Sequence, residues 1–156
     1  MSRRERRVSS VTLETFCHAT EDVEKVERAI LNLLPSDLRS SAEFEECRLE
    51  GHYGNPITIL RAVLRGEEAE RAVRELFSRM DEFDKRIVLE SLERRLDSSS
   101  NLYLRFDKQR ALLGSPRLLQ GDDVIKVIVA FMPHIRRERA VAKALEGLGL
   151  KLGGER

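Results

Sequence analysis

The stretch Val11-Thr12-Leu13-Glu14-Thr15-Phe16-Cys17-His18-Ala19-Thr20-Glu21-Asp22-Val23 changes its period midway. Val11, Leu13, Thr15 and Cys17 alternate with Thr12, Glu14, Phe16 and His18, which is the two-residue period of a strand. Thr20-Glu21-Asp22 then supplies a helix cap, with acids in the first turn where the helix dipole favours them. Val23, Val26, Ile30 and Leu33 follow at helical spacing, and Pro35 with Ser36 ends the pattern.

Outward from this β-to-α switch the alternation recurs. A second strand is expected at Glu43–Glu50, although Phe44 and Leu49 are oddly spaced and suggest a bulge or register shift. Gly51–Pro56 reads as a turn, and Ile57–Leu64 completes a hairpin. Ala69, Val73, Leu76, Phe77 and Met80 mark a helix, resumed after a break near Asp81 by Ile87, Leu89, Leu92 and Leu96. Leu102–Asp107 alternates as a strand, Gln109–Leu113 reads as one helical turn ending at Gly114, and Val124–Met132 is the most β-prone run. A final helix spans about Ile135–Leu148. The order βαββα(α)ββα predicts an α+β two-layer sandwich, a mixed or antiparallel sheet with helices packed on one face. Residues 1–8 read as a basic, flexible arm, 9–150 as one domain and 151–156 as a flexible tail.

At 156 residues, 41% of them hydrophobic, the chain can bury a core. No apolar run approaches a membrane span. The basic start Met1–Arg7 lacks the apolar region of a secretory signal, so a cytoplasmic location is expected. Charged residues make up 35% of the chain with a net charge of only +1. Their clustering is more informative. Basic groups gather at Arg3–Arg7, Arg105–Arg117 and His134–Lys143, and acids at Glu43–Glu50 and Glu67–Asp97.

Phosphate-loop, dinucleotide, serine-hydrolase and zinc-protease motifs are all absent, and His18, His52 and His134 have no partners at fixed spacing. No catalytic residue, metal or cofactor is expected; the chain reads as a non-enzyme. Cys17 and Cys47 leave two alternatives open, reduced thiols or a disulfide. A metal site with His18 and His52 is disfavoured, because Cys17 and His18 point to opposite faces of a strand.

Two segments carry binding chemistry. In Gly51-His52-Tyr53-Gly54-Asn55-Pro56, glycines bracket two rings able to stack on unpaired bases; the same rings could equally pack over the hairpin. In Leu102–Arg110, alternation places Tyr103 and Arg105 on the face opposite Leu102, Leu104 and Phe106. Lys108, Gln109 and Arg110 then leave the strand end as donors for phosphate or base edges. Arg136, Arg139 and Lys143 share a helix face that could track a phosphate backbone, or be an ordinary solvated face.

At these segments the sequence resembles the archaeal RNA-binding protein family described as a predicted exosome subunit. The matching pieces are His18-Ala19-Thr20-Glu21, Leu49–Ile57, Leu102–Gln109 and Gly121-Asp122. The resemblance spans about Leu13–Leu148 and implies a fold similar to the ribosomal protein that binds 5S RNA. It also implies binding to structured or single-stranded RNA, alongside exosome or ribosomal components. The expectation is a non-catalytic RNA-binding protein using His52, Tyr53, Asn55, Tyr103, Arg105, Lys108, Gln109, Arg110, Arg136, Arg139 and Lys143. The alternative is a protein-interaction subunit, or a homodimer, using the open sheet face.

Overall fold

Strands and helices follow one another as the period changes predict. A computed structural model describes residues 6–50 and 54–152. Its elements are β1 (Val8–His18), α1 (Val23–Leu31), a 3-10 segment (Ser36–Ser41), β2 (Glu43–Glu50), β3 (Pro56–Arg65), α2 (Gly66–Arg79) and α3 (Glu82–Glu90). They continue with α4 (Leu92–Arg95), β4 (Leu102–Asp107), α5 (Lys108–Leu112), β5 (Val124–Phe131) and α6 (Arg137–Gly147).

The five strands form one antiparallel sheet in the order β2-β3-β1-β5-β4. The helices cover one face, with α2 on β1 and β3 and α1 between β1 and α5. The expected α+β two-layer arrangement is therefore observed, with an antiparallel sheet.

Alternation sorts the residues between the faces. Ala62, Leu13, Val127 and Leu104 form one buried row across four strands, beneath the helices. Phe77 and Phe106 are fully buried in the same core. Thr15 is the polar exception on that face, and its hydroxyl donates to the Val124 carbonyl at 2.7 Å, so its burial leaves no donor unpaired.

Several local readings change. The β2–β3 pairing runs without a break from Glu43↔Val63 to Glu50↔Pro56, so the expected bulge is absent from it. Phe44 and Leu49 are oddly spaced because they belong to opposite faces. Among the described residues a register shift lies instead in β1, between Val8 and Ser10. Val8 falls within the segment read as an arm, yet it is fully buried, and its amide donates to Glu70 at 2.8 Å. Residues 1–5, and the tail from 153, lie outside the described residues. At the other end, Leu148 and Leu150 are buried although glycines flank them. Asp22 and Asp81 cap α1 and α3 through bonds to the amides of Glu24 and Asp84.

The antiparallel register defines two ends of the sheet. The finishing ends of β1, β2 and β4 and the starts of β3 and β5 lie together at its upper end. β2 is an edge strand almost wholly exposed, and it carries Glu43, Glu45, Glu46 and Glu50. The outer edge of β4 is instead covered. Leu119 N donates to Arg105 O at 3.1 Å and Asp107 N to Arg117 O at 2.8 Å, and Leu118 bridges to Phe106.

Candidate nucleic-acid interface

The face free of helices is crossed by one charged row, Glu45, Arg61, Glu14, Lys126 and Arg105, from β2 to β4. Arg61 sits between two carboxylates and donates to Glu14 at 3.3 Å and to Glu45 at 3.4 Å. Lys126 and Arg105 make no ion pair among the described residues. The row therefore has its ion pairs on the β2 side, where two acids share one cation, and its unpaired cations on the β4 side.

Next to those cations the open face carries rings. Phe16 is 48% exposed although it belongs to a central strand. It lines a depression of about 350 Å³ together with Glu14, His18, Ile57, Arg105, Asp122 and Lys126. An exposed ring bordered by cations is a stacking surface for a base with a phosphate contact beside it. Phe16 and Lys126 were missed in the sequence. The signal was present, because Phe16 falls in the polar phase of β1 and Lys126 is the one cation in an otherwise apolar strand.

The expected site residues divide into groups. Tyr103 and Arg105 do face away from the core, as alternation requires. The Tyr103 hydroxyl donates to Asp97 Oδ2 at 3.0 Å, and this bond raises the phenol above its ordinary pKa. Arg105 donates to the Gly121 carbonyl. Asn55, Gln109 and Arg110 are exposed at the upper end, and Gln109 donates to Asp123 at 3.1 Å. His52 and Tyr53 lie outside the described residues.

Lys108 is corrected. It is 3% exposed, and its ammonium donates to the Phe16 carbonyl at 2.8 Å and to Glu21 at 3.1 Å, with Asp123 at 3.0 Å. Asp107 explains the inversion: its carboxylate caps α5 through the amides of Gln109 and Arg110, so the chain turns at Lys108 and the side chain folds back under β1. The role of phosphate donor expected for Lys108 falls away.

Arg136, Arg139 and Lys143 are exposed, but β5 carries the chain to the lower end before α6 begins, far along the sheet from α5. Arg136 precedes the helix in an extended conformation and donates to the Pro133 carbonyl at 3.2 Å. Only Arg139 and Lys143 share a helical face, at i and i+4.

A second concavity lies at the outer side of β4, about 470 Å³ in volume and bounded by α3, α4 and residues 118–122. Arg94, Arg95 and Arg105 line it with Tyr103, Gln120 and Asp122. Arg95 Nε donates to Ser91 Oγ at 2.7 Å, and burial, followed by the charges of Arg94 and Arg105, pulls its pKa down. In the sequence Arg94-Arg95 passes for the solvated side of a helix.

The two cysteines are free; Cys17 is buried under the helices and Cys47 is exposed on the open face. Opposite faces of the sheet preclude a disulfide between them within the chain. No cluster of metal-ligating side chains occurs among the described residues, and no helix is long and apolar enough to cross a membrane.

Comparison with known proteins agrees with this geometry. Residues 10–131 match the RNA-binding family over most of the folded chain. The chain belongs to the RNA-binding family. Within its range of relatives, RNA-binding protein PAB1135 of Pyrococcus abyssi is 33% identical over 87% of this chain and 90% of its own. The crystal structure of protein AF2318 from Archaeglobus fulgidus is 31% identical with a TM-score of 0.77, over 90% of this chain and 99% of that one. Protein SSO0741 from Sulfolobus solfataricus, 28% identical, superposes with a TM-score of 0.72 over 89% of this chain and 96% of that one. Both solved structures carry the same family designation, DUF54, so the open sheet described above is the fold of the RNA-binding family.

Proposed function

We propose that this chain binds RNA, without catalysis, through the β1–β5–β4 part of its open sheet face. The observation that carries the reading is Phe16, exposed on a central strand and bordered by Arg105 and Lys126, neither of which has a carboxylate partner among the described residues. The rings of Phe16 and His18 stack on unpaired bases, and Arg105, Lys126 and Arg110 hold phosphates. Asn55 offers an amide at the upper end of the sheet, and Gln109 lies at that end too, beside α1 and bound to Asp123. Arg139, Lys143 and Arg136 form a separate basic surface at the lower end, available to a longer RNA. A flat face with exposed rings suits single-stranded segments better than a duplex, whose bases are already stacked. The reading extends to a cytoplasmic protein of one domain working in RNA processing, with the exosome, or on ribosomal RNA.

The test is binding of a fluorescent single-stranded RNA to the wild type, to Phe16→Ala, and to an Arg105→Ala/Lys126→Ala/Arg110→Ala triple variant. Loss of a stacking ring should weaken binding about tenfold. The triple variant should flatten the dependence of affinity on salt by about 0.7 in slope for each phosphate it no longer holds. Folded variants with unchanged affinity and slope would overturn the site.

One observation favours a second reading. Leu49 is 45% exposed and lies on the same face as Phe16, Ile57 and Ile59, an apolar strip beyond what phosphate binding needs. A protein partner from an exosome or ribosome-associated complex, or a second copy of the chain, would bury it. Association that survives nuclease treatment and is lost in Leu49→Asp would favour this reading.

A further inference from the structure

The cavity on the outer side of β4 is not needed to lay RNA across the open face, yet its lining is specialised. Three guanidiniums, those of Arg94, Arg95 and Arg105, surround one volume and make no ion pair among the described residues. Like charges repel; the Asp122 carboxylate at the edge of the cavity and the charge of Asp84 acting on Arg95 offset them only in part. Asp84, the other nearby acid, is already taken: it accepts from Arg117 Nε at 2.9 Å and from Leu118 N at 3.0 Å. An anion bridging these groups would be held by charge-assisted hydrogen bonds.

The orientation of these groups is built rather than accidental. Ser91 is buried; its hydroxyl donates to the Ile87 carbonyl and accepts from Arg95 Nε. This bond holds the Arg95 side chain by its inner nitrogen and leaves both terminal nitrogens without a partner among the described residues. Arg105 spends one terminal nitrogen on the Gly121 carbonyl, which fixes the guanidinium against the 118–122 wall. Tyr103 is likewise held by its hydroxyl, so its ring forms a fixed side of the cavity. A planar guanidinium held by one nitrogen presents the others as a fork that fits phosphate oxygens.

We propose that this cavity is a phosphate-monoester site that takes the terminal phosphate of an RNA strand. Arg94, Arg95 and Arg105 hold its oxygens, and the Tyr103 ring lies against the adjoining nucleoside. The assignment rests on the RNA-binding reading above and deepens it. Charge selects the end of a chain over its interior. A terminal monoester offers three oxygens, one for each guanidinium, and a charge of about −1.5 to −2, where a diester offers two free oxygens and about −1. Volume agrees, since about 470 Å³ lies in the range of small-molecule sites. Continuity agrees as well. Arg105 lines both this cavity and the Phe16 depression, so a strand stacked on the open face can end in the cavity.

The experiment compares one RNA sequence with a 5′-phosphate, with a 3′-phosphate, and with hydroxyls at both ends, by fluorescence anisotropy at fixed salt. One phosphorylated form should bind about tenfold more tightly than the hydroxyl form. The preference should vanish in Arg94→Gln/Arg95→Gln, whose fold is checked by circular dichroism. Equal affinity of the three RNAs for the wild type overturns the site and leaves the RNA reading standing. A preference that persists in the folded double variant overturns its placement in this cavity. Absence of binding to every form overturns the RNA reading, and this site with it.

Discussion

Replacing Lys108 with methionine separates a structural lysine from a phosphate-binding one. Methionine keeps most of the apolar stem, so the change removes little but the ammonium. That ammonium satisfies the Phe16 carbonyl at 2.8 Å and faces the carboxylates of Glu21 and Asp123. Breaking a fully buried pair costs about 3–5 kcal/mol. Here the carboxylate side chains are 23% and 49% exposed and can rehydrate, so their share falls to about 1 kcal/mol. The orphaned carbonyl adds about 1–3 kcal/mol. The expected destabilisation is therefore about 2–4 kcal/mol, or about 5–15 °C in melting temperature for a chain of this size. Urea unfolding measures it, with the slope m unchanged. RNA affinity, taken well below the transition, should stay close to the wild type. A loss of affinity with stability intact would refute the reasoning and return Lys108 to the binding surface.

Other outcomes follow from the same geometry. Tyr103→Phe removes the hydroxyl that donates to Asp97 and should cost about 1 kcal/mol of stability, while Tyr103→Ala also removes the ring and should weaken binding of end-phosphorylated RNA. Asp84→Ala orphans the Leu118 amide, at about 1–3 kcal/mol, whereas Arg117 is 38% exposed and keeps Asp81, so its share is about 1 kcal/mol at most; a loss of about 2–4 kcal/mol in urea unfolding is expected. Asp97 and Asp123 titrate below their ordinary value. Burial pushes each up, but hydrogen bonds from Asn101 and Tyr103, and from Gln109 and Lys108, outweigh it. Their stabilisation is thus present above the unfolded carboxyl pKa of about 3.9 and lost as pH falls through the lower folded values; melting temperature against pH should decline below about pH 4, and less steeply in Asp97→Asn. Phe106→Ala empties a fully buried site at the β4–β5 pairing and should cost about 3–5 kcal/mol.

The fold was largely legible because alternation and helical spacing report burial directly. Leu102, Leu104 and Phe106 against Tyr103 and Arg105 divide between the two faces as their period requires. Burial of a long cation is harder to read, since it depends on partners remote in sequence. Lys108 meets Glu21 and Phe16 only after β1 and β4 are brought to the same end of the sheet, and no local pattern announces that. Arg94 and Arg95 were obscure for the converse reason. A helix that looks solvated in sequence turns them toward β4 and the 118–122 segment, which makes a cavity of what reads as surface. Phe44 and Leu49 misled because a lone edge strand can place apolar residues on either face without a large penalty. Phe16 was legible in principle: a large ring in the polar phase of a strand is an anomaly, and the helix-free face turns it into a surface.

The exposed acids along β2 act at a distance as well as at that edge. They block pairing with another sheet, as charged edge strands do. They also give the open face an electrical polarity, negative along β2 and more positive toward Lys126 and Arg105. A polyanion approaching by diffusion is turned before contact, so that it arrives with the cationic side foremost. The acidic edge therefore bears on the rate and orientation of encounter without touching the bound strand, and its influence fades as added salt shortens the reach of the field.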